Sequence, residues 1–253
     1  MVLKLIQLAF SSIKVSHLIN WFNLIGGTLI NILVIAAHAD DEVLGCGGSI
    51  AKYKDQGATV NVALLADGVS SRVAEDASSN ADLKIRNSAA KHANEILDVD
   101  QVIFGDFPDN RMDSVALLDV IKYVEDLIVQ FTPDVIFTHH SNCLNIDHRV
   151  VNQAVCTACR PQGNYSVKSI LFFEIPSSTE WQINSLGAFS PNLFEDISSH
   201  LAKKIKALEV YSMEMRDWPH PRSIDGVTHL AKWRGATVGV DSAEAFIVGR
   251  IVK

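Results

Sequence analysis

From residue 31 onward, short apolar runs alternate with stretches whose apolar residues recur every three or four positions. The run Ile32-Leu33-Val34-Ile35-Ala36 reads as a buried strand beginning at Asn31, and residues 42–56 read as the helix behind it. Gly57 fits as the terminator of that helix. Residues 59–65 read as a second strand, with a loop over 67–72 at its carboxyl end. Residues 81–97 are helical, with Ile85, Ala89, Ala93 and Ile96 on one face. A third strand spans 101–104, and a helix over 114–131 lines up Leu117, Val120, Ile121, Val124 and Ile128. Residues 134–137 form a fourth strand, Asn145 opens another helix, and 167–173 form a fifth strand. This alternation predicts an α/β fold: a Rossmann-like three-layer α/β/α sandwich with a mostly parallel sheet.

After Glu174 the pattern changes. Residues 176–191 are polar, aromatic and irregular, which suits a substrate lid or an edge hairpin. A helix over 197–213, an extended Trp218-Pro219-His220-Pro221-Arg222, a helix over 224–233 and a strand over 245–252 complete a helical and edge-strand extension. Residues 1–29 stand apart as an N-terminal extension of unknown role, and 30–253 form one domain. The extension is apolar but interrupted by Lys4, Lys14, His17 and Asn20, so it fits neither a spanning helix nor a signal peptide.

Composition narrows the function. A net charge of -7 without a basic run argues against nucleic acid as a partner. Four cysteines in 253 residues do not make a disulfide framework. Cys156-x-x-Cys159 has zinc-ligand spacing, but it lies in a helical stretch with no second pair, so it reads as structural. A reducing, cytoplasmic setting and no membrane association are the natural expectations.

Chemistry concentrates at two strand ends. His38, Asp40, Asp41 and Glu42 crowd the turn after the first strand, where open α/β sheets bind ligands. Adjacent buried carboxylates need a cation to offset them. The simpler reading makes Asp40 or Asp41 a helix cap with Glu42 in the first turn. His139 and His140 end the fourth strand, and Asn145-Ile146-Asp147-His148 opens the helix that follows. Two histidines and a carboxylate with one open position form a known catalytic zinc set. Gly45-x-Gly47-Gly48 lacks the third glycine of a dinucleotide loop, and the carboxylates before it would repel a pyrophosphate.

With these motifs in order, the chain resembles the PIG-L/LmbE family of zinc-dependent N-deacetylases. The family pattern is His-Pro-Asp-Asp-Glu after the first strand and a later His-x-x-Asp-His. Here Ala39 stands at the proline and Asn145 at the first histidine of the second motif. Gly45-Cys46-Gly47-Gly48, Pro108 to Asp113, His220-Pro221-Arg222-Ser223 and Arg234-Gly235 with Ala243 to Phe246 also match. The resemblance covers roughly residues 30 to 250.

The resemblance implies zinc, or another divalent metal, held by His38, Asp41 and His148, with Asp40 as general base. Asp147 would orient an active-site group, and Arg86 would touch substrate, although Ala89 stands where a glutamate is common. The implied activity is removal of an N-acetyl group from an N-acetylated sugar or sugar conjugate, by an N-acetylglucosaminyl-type amidohydrolase. Asn145 cannot titrate, so the alternative is a weak or inactive metal- and sugar-binding member of the fold. His139, His140 and His220 are replacements for the missing acid, and His220, between two prolines and before Arg222, is the preferred one. Asp40 could instead return the proton it accepts. His220 could also reach a neighbouring subunit's site in a homo-oligomer. Arg72, Asp109, Asn110 and Arg111 are the expected sugar contacts, from polar loops at the same sheet edge.

Overall fold

A computed structural model describes residues 30–68, 78–162, 167–183 and 187–252. Five parallel strands form its centre: β1 (Asn31–Ala36), β2 (Thr59–Ala66), β3 (Gln101–Phe107), β4 (Val135–His139) and β5 (Ser169–Phe173). Two antiparallel strands, β6 (Leu193–Asp196) and β7 (Ala243–Ile251), extend the sheet beyond β5 in the order β3-β2-β1-β4-β5-β7-β6. The helices are α1 (Asp41–Asp55), α2 (Ser78–Ile96), α3 (Leu117–Phe131), α4 (Ile146–Ala158), α5 (Leu201–Val210) and α6 (Ile224–Ala236).

The period-2 pattern of β1 decides which helices cover which face. Ile32, Val34 and Ala36 join a core with residues of α1, α2, α5 and α6, whereas Leu33 and Ile35 join a second core with α3 and α4. This is the three-layer α/β/α sandwich with a mostly parallel sheet. The predicted stripe of α3 is realised from its second turn, with Val120, Ile121, Val124 and Ile128 buried, whereas Leu117 at the first helical position is exposed. Each such side chain contributes about 1.5–3 kcal/mol when removed from water. The chain passes from β1 to β2 on one side, while β4 lies on the other. The carboxyl ends of β1 and β4 therefore flank the crevice of the sheet.

α1 is broken at Cys46, whose φ of -148° is not helical. A carboxylate from β7 meets the break: Glu244 accepts hydrogen bonds from the N–H groups of Gly48 (2.9 Å) and Ser49 (2.7 Å). Buried Lys204 of α5 pairs with Glu244 at 2.6 Å and donates to the Leu44 carbonyl at 2.8 Å. The groups that a broken helix leaves unsatisfied are thereby supplied from two other elements. Gly45 packs against Phe173 of β5, where a Cβ would approach the ring to 2.5 Å.

Two expectations need correction. The helix expected over 197–213 is shorter: the Ile197 N–H donates to the Ser242 carbonyl (3.0 Å), residues 198–200 turn away from β6 (Leu193–Asp196), and the helix spans only Leu201–Val210. The segment around His220 is folded into turns rather than extended. The His220 N–H donates to the Asp217 carbonyl (3.1 Å) and the Ser223 N–H to the His220 carbonyl (3.0 Å). Proline disfavours helix but is compatible with a turn. The N-terminal extension, 1–29, lies outside the described residues. No helix among the described residues is long and apolar enough to cross a membrane.

Candidate metal centre and cleft

The turn between β1 and α1 is built around Asp41. Its carboxylate Oδ2 accepts the His38 N–H at 2.9 Å and lies 3.2 Å from His38 Nδ1. The N-terminus of α4 delivers His148, whose Nε2 lies 3.2 Å from the same Asp41 oxygen and 3.3 Å from His38 Nδ1. Three ligand-type atoms thus form a nearly equilateral triangle, buried at Asp41 and His148. Tetrahedral zinc with ligands at about 2.0–2.1 Å places neighbouring ligand atoms roughly 3.3–3.4 Å apart. The three residues fit such an ion.

The outer nitrogens of both rings are engaged. His38 Nε2 lies 2.9 Å from Asp147 Oδ2 and 3.1 Å from Asp109 Oδ1. Asp147 is itself fixed by the backbone N–H groups of Asn110 (2.6 Å) and Met112 (3.0 Å). His148 Nδ1 lies 3.2 Å from the buried Cys143 thiol, which also lies 3.0 Å from Ser178 Oγ. These contacts leave His38 Nδ1 and His148 Nε2 turned toward each other and toward Asp41, the arrangement that metal-binding imidazoles require.

The electrostatics point the same way. Burial works against charge on His38, but contacts with Asp109, Asp147 and Asp41 outweigh it and raise its pKa well above the usual value. Burial likewise opposes charge on His148, and Asp41 overrides it, raising that pKa to about 9. Burial would raise Asp41, but His148 and His139 hold it well below the carboxylate range. The pocket is therefore organised to hold positive charge against Asp41.

Asp40 is separate from the triangle. Its backbone lies at φ 117°, ψ -28°, a left-handed geometry that costs a non-glycine residue about 1–3 kcal/mol. Its carboxylate accepts a hydrogen bond from Arg222 Nη1 at 2.9 Å. Burial raises its pKa to about 7, with Arg222 opposing the rise. Arg222 is held in turn by Ser177 Oγ, 3.1 Å from its Nε. Glu42 is buried and structural: it accepts from the Asp40 N–H (3.1 Å), Asn94 Nδ2 (2.8 Å) and the Tyr211 hydroxyl (2.5 Å), tying α1 to α2 and to the end of α5.

A polar cleft of about 170 Å³ opens over these groups. His38 and Asp40 line it from the first turn, Asp109 and Asn110 from the loop after β3, and Asn145 and His148 from α4. Arg86, Glu214, Arg222 and the Ser177–Ser178 pair close its other sides. Of the expected sugar contacts, Arg86, Asp109 and Asn110 reach the cleft, whereas Arg111 is exposed and does not line it. Arg72 lies outside the described residues.

None of the three replacement histidines lines the cleft. His139 Nε2 accepts the Ala37 N–H at 2.8 Å, and its ring stacks on His148 at 3.9 Å. Burial and the neighbouring His148 hold its pKa well below the usual value. His140 Nε2 is 2.8 Å from the Gly187 carbonyl. His220 Nδ1 accepts the Arg222 N–H at 3.1 Å, and its ring stands edge-on to Trp181. The preferred acid thus braces the Arg222 backbone instead of facing the cleft. Asn145 does line the cleft, with both ends of its amide used: Oδ1 caps α4 through the Asp147 N–H (2.8 Å) and Nδ2 donates to Asn110 Oδ1 (2.8 Å). Ser177, Ser178 and Glu214 had no sequence signal, because each is placed by a loop distant in sequence from the motifs; Cys143 lies within the second motif region, but nothing in the spacing marked its thiol as the partner of His148.

A family model described as PIG-L, GlcNAc-PI de-N-acetylase, matches residues 33–159. The uncharacterized deacetylase YaiS of Escherichia coli K12 is 32% identical over 185 residues, which is 70% of this chain and 88% of that protein. The N,N'-diacetylchitobiose deacetylase of Pyrococcus horikoshii superposes with a TM-score of 0.68 at 21% identity, covering 87% of this chain and 83% of that one. GalB, the 4-carboxy-2-hydroxymuconate hydratase of Pseudomonas putida KT2440, superposes at 0.72 with 22% identity, over 89% and 99%. At those identities the two structures share the fold.

Proposed function

The chain belongs to the PIG-L/LmbE family of deacetylases, and on that premise we propose that it is a zinc-dependent hydrolase that removes an N-acetyl group from an N-acetylated sugar or sugar conjugate. The observation that carries this reading is the triangle of His38 Nδ1, Asp41 Oδ2 and His148 Nε2, with edges of 3.2, 3.2 and 3.3 Å, at the floor of a polar cleft beside Asp40. Bound there, a divalent metal would polarise the amide carbonyl and lower the pKa of water.

The protein's own residues supply the rest. Asp40 is the general base, held in place by Arg222 on one side and by the strained turn on the other. Asp147 and Asp109 fix the tautomer and angle of His38, and Cys143 does the same for His148. Asn110, Asp109 and Arg86 present donors and acceptors suited to sugar hydroxyls. Leaving-group protonation needs a titratable group facing the cleft. With the other histidines engaged elsewhere, Asp40 both accepts the proton from water and returns it to the departing nitrogen.

Asn145 favours the second reading, a metal- and sugar-binding protein without turnover, because its amide can only donate a hydrogen bond or cap a helix. One experiment separates the two: metal analysis of the purified protein, combined with acetate release from N-acetylglucosamine-type sugars, conjugates and acetyl-peptides. The deacetylase reading expects about one zinc per chain and activity on the sugars. Bound zinc with no acetate release from any sugar would establish the second reading, and activity confined to acetyl-peptides would overturn the substrate class.

A further inference from the structure

His38 Nε2 faces two buried carboxylates that arrive from different segments. Asp147 of α4 lies at 2.9 Å and Asp109 of the loop after β3 at 3.1 Å. The N–H groups of Asn110 and Met112 hold one oxygen of Asp147 each. The side chain that reaches Asp109 leads back to Asn145. Asn110 Nδ2 donates to Asp109 Oδ1 at 3.1 Å, and Asn110 Oδ1 accepts from Asn145 Nδ2 at 2.8 Å.

The direction of this relay is fixed at both ends. The Asp147 N–H can only donate, so the Asn145 oxygen takes it at 2.8 Å and Nδ2 is left to point at Asn110. An ionised carboxylate can only accept, so Asn110 turns its Nδ2 to Asp109 and its oxygen to Asn145. Hydrogen bonds in such a chain polarise one another. The Asn110 backbone lies at φ 53°, a left-handed conformation that asparagine tolerates. From there its N–H meets Asp147 while its side chain spans Asp109 and Asn145. Asn145 therefore touches both supports of His38, Asp147 through its backbone and Asp109 through Asn110. Helix capping alone asks less of this position. Serine and aspartate cap as well as asparagine, but a serine hydroxyl stops short of Asn110 and an aspartate has no proton to donate there.

We propose that Asn145 is a positioning residue for the metal: through Asn110 and Asp109 it sets the orientation of the His38 ring, and thereby the affinity for zinc. Position 145 has then not simply lost an acid; it has gained a support for a metal ligand. The proposal rests on the zinc reading of the His38, Asp41 and His148 triangle, which both functional readings share, and not on turnover. Holding the outer nitrogen of a ligating imidazole is worth about 10–100-fold in metal affinity.

The test is zinc affinity, read by competition with a chelator, for the full-length protein and three variants. Asn145→Ser keeps the cap and removes the donor to Asn110. Asn110→Gly keeps the N–H that meets Asp147, suits the left-handed backbone and removes the amide. The third variant combines the two. Each single variant should bind zinc about tenfold more weakly, and Asn145→Ser should leave the thermal stability of the metal-free protein unchanged. The double variant should bind no more weakly than the weaker single, because both substitutions break one relay. Wild-type affinity in Asn145→Ser would overturn the proposal and leave Asn145 as a cap. A loss of affinity matched by a loss of metal-free stability would overturn it as well, and so would losses that multiply in the double variant. Zinc bound with the expected losses, but no acetate released from any sugar, would remove the deacetylase reading and leave the proposal standing. If the wild-type protein bound no zinc, that reading would fall, and the relay would be judged in the metal-free protein by the NMR resonance of the His38 Nε2 proton. A shift of that resonance in both single variants supports the relay; an unmoved resonance overturns it.

Discussion

Arg222 reaches across 182 residues of sequence to place its Nη1 2.9 Å from Asp40 Oδ2. Asp40 is buried, and the arginine's positive charge opposes the cost that burial places on its carboxylate. Arg222→Leu should keep the metal and lower turnover by about tenfold or more, since an unpaired buried carboxylate is both costly and misaligned. Arg222→Lys should recover only part of this, because one ammonium cannot replace the fork that also holds Ser177. Steady-state kinetics with metal analysis checks both variants; wild-type turnover in Arg222→Leu would show the pair to be structural.

The metal assignment predicts that His148→Ala loses most of its zinc. Asp147→Asn, which disturbs only the support of His38, should weaken zinc affinity by about 10–100-fold. Competition with a chelator of known affinity reads both. Full occupancy in His148→Ala would remove His148 from the ligand set.

Asp40→Asn should retain zinc and lose roughly 10²–10⁴ in kcat, the range for general acid–base catalysis. Because one residue is assigned both proton transfers, no second titratable carboxylate or imidazole should show a comparable loss with full metal. Activity surviving within a few-fold would leave Asp40 as a helix-entry residue only.

His220→Ala is expected to cost less than tenfold, through loosening of the Arg222 backbone that its ring accepts from. A loss of 100-fold or more at unchanged metal content would return His220 to the role of acid that its Pro-His-Pro setting suggested.

Away from the cleft, Glu244 and Lys204 form a buried pair at the break in α1. Glu244→Gln should destabilise the protein by about 3–5 kcal/mol, since it leaves a buried ammonium without its partner. Adding Lys204→Met should restore part of that loss, because the orphaned charge is then gone. Denaturant unfolding of the single and double variants decides; a double variant less stable than the sum of its singles would contradict this account.

What the sequence determined was local. Strand and helix order followed from apolar periodicity, because β1 and α3 each bury one set of positions and expose another whatever surrounds them. That two His/Asp clusters would meet was legible because open parallel sheets gather ligands at adjacent carboxyl strand ends, and β1 and β4 are neighbours; the choice of His38, Asp41 and His148 within them came from the family resemblance. Short β6 was not legible, since Leu193–Asp196 becomes a strand only by pairing with β7.

Tertiary structure alone decided the partners. Nothing near Asp40 in sequence announces Arg222, nothing near His148 marks the Cys143 thiol as its brace, and only folding links Asn145 to Asp109 through Asn110. It also turned His220 toward Trp181, where sequence suggested an acid. Periodicity and motif spacing record which face a residue occupies on its own element. Which other element that face meets is fixed by packing between segments distant in the chain, and no local pattern carries it.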